Sequence, residues 1–119
     1  MKDDRSTKDE IEWIIRFCKS IDLAMEHFGN DEEDFLENEL YQNSCCFALM
    51  QIGESIKRLP EDITLPSPEI EWRGLSGMRD IMAHSYHNIL LNRVWKVMTD
   101  EIPALKARCE AILKEIKSA

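Results

Sequence analysis

The feature that most limits what this chain can become is the spacing of its apolar residues. Ile11, Ile14, Ile15, Cys18, Ile21, Met25 and Phe28 recur three and four positions apart, the period that gathers side chains on one face of an α-helix. No segment alternates apolar and polar residues over more than a few positions, and no Asn-Gly or Asp-Gly pair marks a hairpin. A helix is expected from about Thr7 to Phe28, with Thr7 and Glu10 as a capping box at its start and Gly29 in the left-handed conformation at its end. A second should begin after Asn30 or Asp31, where acidic residues meet the positive end of the helix dipole. It should continue through Leu36, Leu40, Phe47, Ile52, Ile56 and Leu59 until Pro60 stops it. Gly53 falls inside that helix, where it costs about 1 kcal/mol relative to alanine, so it marks close contact with a neighbouring backbone.

Residues 60–70 carry three of the 4 prolines and no helical period, which predicts an extended link. Helical character resumes at about Trp72 and runs through Met78, Ile81, Met82 and Ala83. Asn92 is the natural cap for a short segment Arg93–Met98, and Thr99 or Asp100 for a last helix. That last helix carries the stripe Ile102, Leu105, Cys109, Ile112 and Ile116, with Pro103 in the first turn, where its missing N–H does least harm. The expected fold class is all-α, a four- or five-helix antiparallel bundle, and 119 residues suffice for one domain spanning 1–119 with one core.

Charge narrows the function classes. With 15 basic and 23 acidic side chains the net charge is −8, which argues against coating nucleic acid or anionic lipid by bulk electrostatics. Any RNA contact must be local. Residues 1–39 hold 13 acidic and 5 basic side chains, whereas Arg73, Arg79, Arg93 and Lys96 outnumber Glu71 and Asp80 in 71–98. Cys18, Cys45, Cys46 and Cys109 form no CxxC pair and read as small buried hydrophobes, reduced in a cytoplasm. The opening MKDDRSTKDE is too charged for a signal peptide, and no apolar run approaches the roughly 18 residues of a membrane span, so a cytoplasmic protein without a membrane partner is expected.

Chemistry concentrates in residues 71–88, EWRGLSGMRDIMAHSYHN. On a helix Asp80 and His84 share a face, so the carboxylate could orient the imidazole and raise its pKa. An imidazole can take a proton from a ribose 2′-hydroxyl while a guanidinium fork holds the phosphoryl oxygens, a reaction that needs no metal and no cofactor. The same residues also read as surface or interhelix polar pairs, and Asp80, His84 and His87 as a loose metal-ligand set. Arg73 and His87 flank the centre as candidate RNA or nucleotide contacts. Gly74-Leu75-Ser76-Gly77 lacks the lysine of a phosphate loop and reads as a tight helix start. Trp72 and Trp95 are expected to pack the motif helix, and Trp13, Phe17 and Phe47 to be core or dimer contacts.

Arg79-Asp80-Ile81-Met82-Ala83-His84-Ser85-Tyr86 has the form R-x4-H-x-Y, with a polar residue after the arginine. In this it resembles the HEPN superfamily, and specifically its HepT-like toxin branch. The likeness extends to Gln51-Ile52-Gly53-Glu54-Ser55-Ile56-Lys57-Arg58-Leu59, to Trp72-Arg73 and Gly77-Met78, and to Val94-Trp95 with Ile102-Pro103. The resemblance implies a HEPN bundle that dimerises and acts as a metal-independent RNase, the toxin of a two-gene toxin–antitoxin pair. The implied partners are an RNA substrate such as tRNA or mRNA and an antitoxin similar to a minimal nucleotidyltransferase. By position Arg79 and His84 are then catalytic, Asp80 supports them, and Tyr86 is where the antitoxin adds AMP. The alternative is a non-catalytic module that binds a nucleotide or docks a nucleotidyltransferase.

Helix geometry gives a separate reason to expect a homodimer. Five residues turn a helix through about 500°, leaving Arg79 and His84 roughly 140° apart around the axis. Two helices related by a two-fold axis would set two arginines and two histidines around one cleft.

Overall fold

A computed structural model describes residues 4–84, 87 and 89–118 of the chain. Among these residues the chain forms seven α-helices and no strand: α1 (Asp4–Phe28), α2 (Glu32–Leu36), α3 (Glu39–Lys57), α4 (Glu61–Thr64), α5 (Trp72–His84), α6 (Leu91–Asp100) and α7 (Ile102–Ser118). The all-α expectation holds, and five of the helices are long enough to be the expected bundle members. The two extra ones are short turns in the links.

The predicted stripe on α1 is its buried face, with Ile11, Ile14, Ile15, Cys18 and Ile21 all in the core. Burying each isoleucine contributes about 1.5–3 kcal/mol. Gly29 ends the helix at φ 125°, as expected, and its N–H donates to the Met25 carbonyl at 3.0 Å. The helix start differs from expectation. It lies at Asp4, so Thr7 sits one turn inside and buried, and the Thr7–Glu10 capping box is not the start of the helix.

The second expected helix is broken in two. Asn38 has extended backbone and its side-chain oxygen accepts from the Tyr41 N–H, starting α3 afresh. The Gln42 side chain donates to the Phe35 and Leu36 carbonyls at 2.9 and 3.1 Å, which ties off the end of α2. The break turns Phe35 fully into the core, where its ring meets Tyr41 and Trp95. Leu36 and Leu40, whose spacing suggested one continuous helix, are both exposed.

The link 60–70 is not wholly extended, because α4 forms one helical turn directly after Pro60. Ser67 in this link is buried; its carbonyl accepts from the Trp72 indole N–H at 2.9 Å and its hydroxyl from Arg108 of α7. Trp72 thereby fixes where α5 begins, the packing role expected of it. Trp95 packs α6 onto α2 and α3 through Phe35 and Tyr41. Two more caps shift. Asn92 lies inside the first turn of α6, and Thr99 and Asp100 close α6 instead of opening α7. Pro103 is in the first turn of α7, as expected.

Cross-links give the directions of the helices. Tyr41 at the start of α3 donates to the Gly29 carbonyl at the end of α1, and Arg58 pairs with Glu10 at the other end, so α1 and α3 run antiparallel. Lys106 pairs with Asp22 at 2.9 Å, and α7 meets α1 along its core face. All four cysteines are free and buried. No described helix is long and apolar enough to cross a membrane.

Candidate active site

α5 presents Leu75 and Met82 to the core, seven residues apart on one stripe, and Arg79 lies on the same stripe between them. Ordinarily an arginine there would be held away from its neighbour by the bulk of the facing side chain. The facing residue is Gly53 of α3. A Cβ built on it would stand 2.9 Å from the Leu75 carbonyl oxygen, 3.0 Å from Arg79 Cβ and 3.2 Å from the Arg79 nitrogen. Gly53 is thus the close-contact residue that its helix-interior position predicted, and the backbone it admits is that of Arg79.

The close approach brings the next turn of α3 into reach of the arginine. Arg79 Nε donates to Glu54 Oε2 at 2.9 Å, and Arg79 Nη1 donates to Asp80 Oδ1 at 3.2 Å. Lys57, one turn beyond Glu54, donates from Nζ to that same Asp80 oxygen at 2.8 Å. Anions and cations alternate along the row Glu54, Arg79, Asp80, Lys57. Hydrogen bonds from Lys57 and then from Arg79 hold the Asp80 carboxyl below the usual carboxylate range, so it is ionised at neutral pH. The arginine is a third exposed and Asp80 about half, which leaves the cluster open to a ligand from solvent.

His84 occupies the last turn of α5, where an imidazole faces the negative end of the helix dipole, and it is exposed. It joins none of the bonds of the cluster. Asp80 was expected to orient it; instead the Asp80 carboxylate turns to the positive charges of Lys57 and Arg79. Arg79 Nη1 nevertheless reaches Asp80, which by helix geometry stands about 40° from His84. Arg73 and His87 are exposed and lie outside the cluster. The expected AMP acceptor, Tyr86, falls outside the described residues.

Glu54 and Lys57 carried no role in the sequence reading. Their signal was present in Gly53 itself: a helix glycine reserved for backbone contact points to its neighbours at the next positions as the side chains that touch the facing helix. Gly74-Leu75-Ser76-Gly77 occupies the first two turns of α5, with Leu75 buried. A cleft of about 490 Å³ lies between α5 and α6, walled by Met78, Ile81, Leu90 and Val94 with Arg93 and Glu101 at its edges. Neither tryptophan lines it. Among the described residues no three His, Cys, Asp or Glu side chains gather in a way that could hold a metal ion.

The arrangement offers a guanidinium fixed in orientation and open to solvent, a second cation nearby, and an exposed imidazole on the same helix. Such a set can hold a phosphodiester and move a proton.

Comparison with known proteins agrees with this chemistry. The family model described as ribonuclease HepT-like matches residues 17–112. "Probable ribonuclease HepT" of Thermococcus cleftensis is 37% identical over 112 residues, 92% of this chain and 98% of that protein. "Putative RNase MJ0125" of Methanocaldococcus jannaschii is 33% identical over 104 residues, 87% of this chain and 82% of the other. No solved structure matches the chain. With most of its length matched in family and relatives alike, the chain belongs to the ribonuclease HepT-like family.

Proposed function

We propose that this protein is the toxin of a HEPN/nucleotidyltransferase toxin–antitoxin pair, a metal-independent endoribonuclease that acts in the cytoplasm as a homodimer through Arg79 and His84. The observation that carries the reading is the ionic cluster between α3 and α5: Arg79 is fixed at 2.9 Å from Glu54 and stays open to solvent, five residues before an exposed His84 that takes no part in the cluster. In the reaction one His84 imidazole takes the proton of a ribose 2′-hydroxyl, and the 2′-oxygen attacks the adjacent phosphorus. The P–O5′ bond breaks, and a second imidazole returns a proton to the departing 5′-oxygen. The products are a 2′,3′-cyclic phosphate and a 5′-hydroxyl. Arg79 holds the phosphoryl oxygens and offsets the charge that builds on them. Asp80 supports Arg79. Arg73 and His87 contact RNA or nucleotide, and tRNA or mRNA is the substrate.

The dimer is supported by the outer face of α5. Among the described residues, and leaving aside its own helix backbone, nothing lies within 4 Å of where a side chain on Gly77 would begin, and Ile81 beside it is half exposed. A two-fold mate against this face supplies the second imidazole. Tyr86, two residues beyond His84, is the acceptor at which a minimal nucleotidyltransferase antitoxin adds AMP and stops cleavage. We read residues 1–119 as one such domain.

The test is cleavage of tRNA by the pure protein with and without a chelator. His84→Ala is expected to abolish cleavage and Arg79→Ala to leave only a small residual rate, both remaining folded and dimeric, and the chelator to leave the wild-type rate unchanged. Intact mass after co-expression with a neighbouring nucleotidyltransferase gene should rise by one or more AMP groups on Tyr86. One feature favours a second reading, a nucleotide-binding or nucleotidyltransferase-docking module without catalysis: the charges of Arg79 and Lys57 are already answered by Glu54 and Asp80, in a chain of net charge −8. Wild-type protein that binds RNA or the nucleotidyltransferase but never cuts RNA would establish it.

A further inference from the structure

We propose that Glu54 is a positioning residue for the cleavage reaction, acting through Arg79 and never on the RNA itself; the inference rests on the nuclease reading above. Three observations support it. The first is the choice of atom. Glu54 Oε2 takes the Nε–H of Arg79, the donor nearest the backbone, at 2.9 Å, and leaves Nη2 without a hydrogen bond among the described residues. A carboxylate on Nε fixes the plane of the guanidinium while keeping its outer edge for a ligand.

The second is the difference between the two carboxylates that touch this arginine. The Asp80 contact is longer, at 3.2 Å, and is shared with Lys57, which holds the same oxygen at 2.8 Å. Asp80 is also the more exposed of the two. A phosphoryl oxygen can displace Asp80 from Nη1, because Lys57 keeps the carboxylate satisfied when Arg79 lets go. Glu54 has no second cation among the bonds described for it, so its tie to Nε persists through substrate binding. One partner of Arg79 is fixed and the other exchangeable.

The third is that stability does not account for the pair. An ion pair a third exposed on both sides adds little to folding. Its present geometry depends on the helix glycine at Gly53, since a Cβ there would crowd the Arg79 backbone. What the pair accomplishes is orientation: a long side chain that would otherwise sample many rotamers is ordered before the substrate arrives.

The experiment is a mutant cycle on cleavage of a short fluorogenic oligoribonucleotide by the full chain, with folding checked by circular dichroism and thermal melting. Glu54→Ala should lower kcat by roughly 10- to 100-fold, the range expected when a reacting group is misplaced by about 1 Å, with KM within about threefold of wild type. Glu54→Gln, which keeps an oxygen acceptor for Nε–H, should recover most of the rate. In an Arg79→Ala background Glu54→Ala should do nothing more. Arg79 Nε–H should give a sharp, exchange-protected nitrogen–proton NMR signal in the wild type and in Glu54→Gln, lost in Glu54→Ala. A folded Glu54→Ala with wild-type kcat, or losses that add across the two sites, overturns the proposal while leaving Arg79 catalytic. If Glu54→Ala does not fold, the proposal is overturned by an absent Arg79 Nε–H signal in the wild type. Wild-type cleavage by Arg79→Ala overturns the catalytic role of Arg79 and this proposal with it, whereas absence of cleavage by the wild type overturns the nuclease reading.

Discussion

Replacing Gly53 by alanine puts two physical effects of known sign against each other. Alanine in a helix interior is favoured over glycine by about 0.5–1 kcal/mol, because glycine loses more backbone freedom on folding. In α3 that gain meets an obstacle. The new methyl would lie 2.9 Å from the Leu75 carbonyl oxygen and 3.0 Å from Arg79 Cβ, against an ordinary contact of about 3.5–4.0 Å. Two of the three nearest atoms are backbone of α5, so no side-chain rotation relieves the clash and the helices must separate by several tenths of an ångström. Forcing a methyl into a packed interface costs about 1–3 kcal/mol. The sum is a destabilisation of about 0–2.5 kcal/mol, or a fall in Tm of up to roughly 12 °C for a domain of this size. The assay is thermal melting by circular dichroism beside cleavage of a labelled RNA at a temperature where both proteins are folded. Cleavage should drop by more than the folded fraction does, because the displacement acts directly on Arg79. A Gly53→Ala protein with raised Tm and unchanged activity would refute the view that this glycine sets the spacing of α3 and α5.

Lys57→Met removes the shorter of the two bonds to Asp80 Oδ1, so the Asp80 carboxyl should titrate at higher pH in the variant, as read by carbon-detected NMR. Its lowered pKa means that whatever the cluster adds to stability is present at neutral pH and lost as pH falls through that lowered value. Burial pushes the thiols of Cys45 and Cys109 up to about 12 and that of Cys46 to about 11, and Cys18 higher still. The native protein should therefore resist an aromatic disulfide reagent at pH 8 and react at four thiols in denaturant. Above about pH 9 the unfolded chain ionises first, so stability should fall with rising pH by up to about 1.4 kcal/mol per unit for each thiol. Tyr41→Phe deletes the 3.0 Å bond from its hydroxyl to the Gly29 carbonyl and should cost about 1–2 kcal/mol in urea unfolding.

What the sequence made legible follows from how local each signal was. The face of α1 was readable because a period of three and four persists over five turns and nothing interrupts it. Gly53 was readable because a helix-interior glycine costs stability that only close packing explains. The junction of α2 and α3 was not, since Leu36 and Leu40 are spaced as core residues and yet both face solvent. The residues that decide that region are Asn38, whose cap needs only one hydrogen bond, and Phe35, which enters the core only once the helix is broken. The site divides in the same way. Asp80 and His84 looked like a pair because they are four apart on one helix. The partner that prevails is Lys57, 23 positions away, and only the register of α3 against α5 brings it there.

That register also separates the glycines of the chain into two kinds. Gly53 gives up helix stability and is compensated inside the molecule, by the contact that seats Arg79. Gly77 gives up a similar amount on the opposite side of α5, yet beyond its own helix backbone a side chain there would meet none of the described residues within 4 Å. Its cost is unexplained so long as the chain is alone. It becomes intelligible if the exposed side of α5, with Ile81 and His84 on it, is where another backbone comes close. On the proposed reading the inner glycine would orient the phosphate-holding group, and the outer one would leave room for a second copy that supplies the second imidazole. On this view the two halves of the reaction are prepared on the two sides of one helix, and the homodimer is what brings them to one phosphodiester.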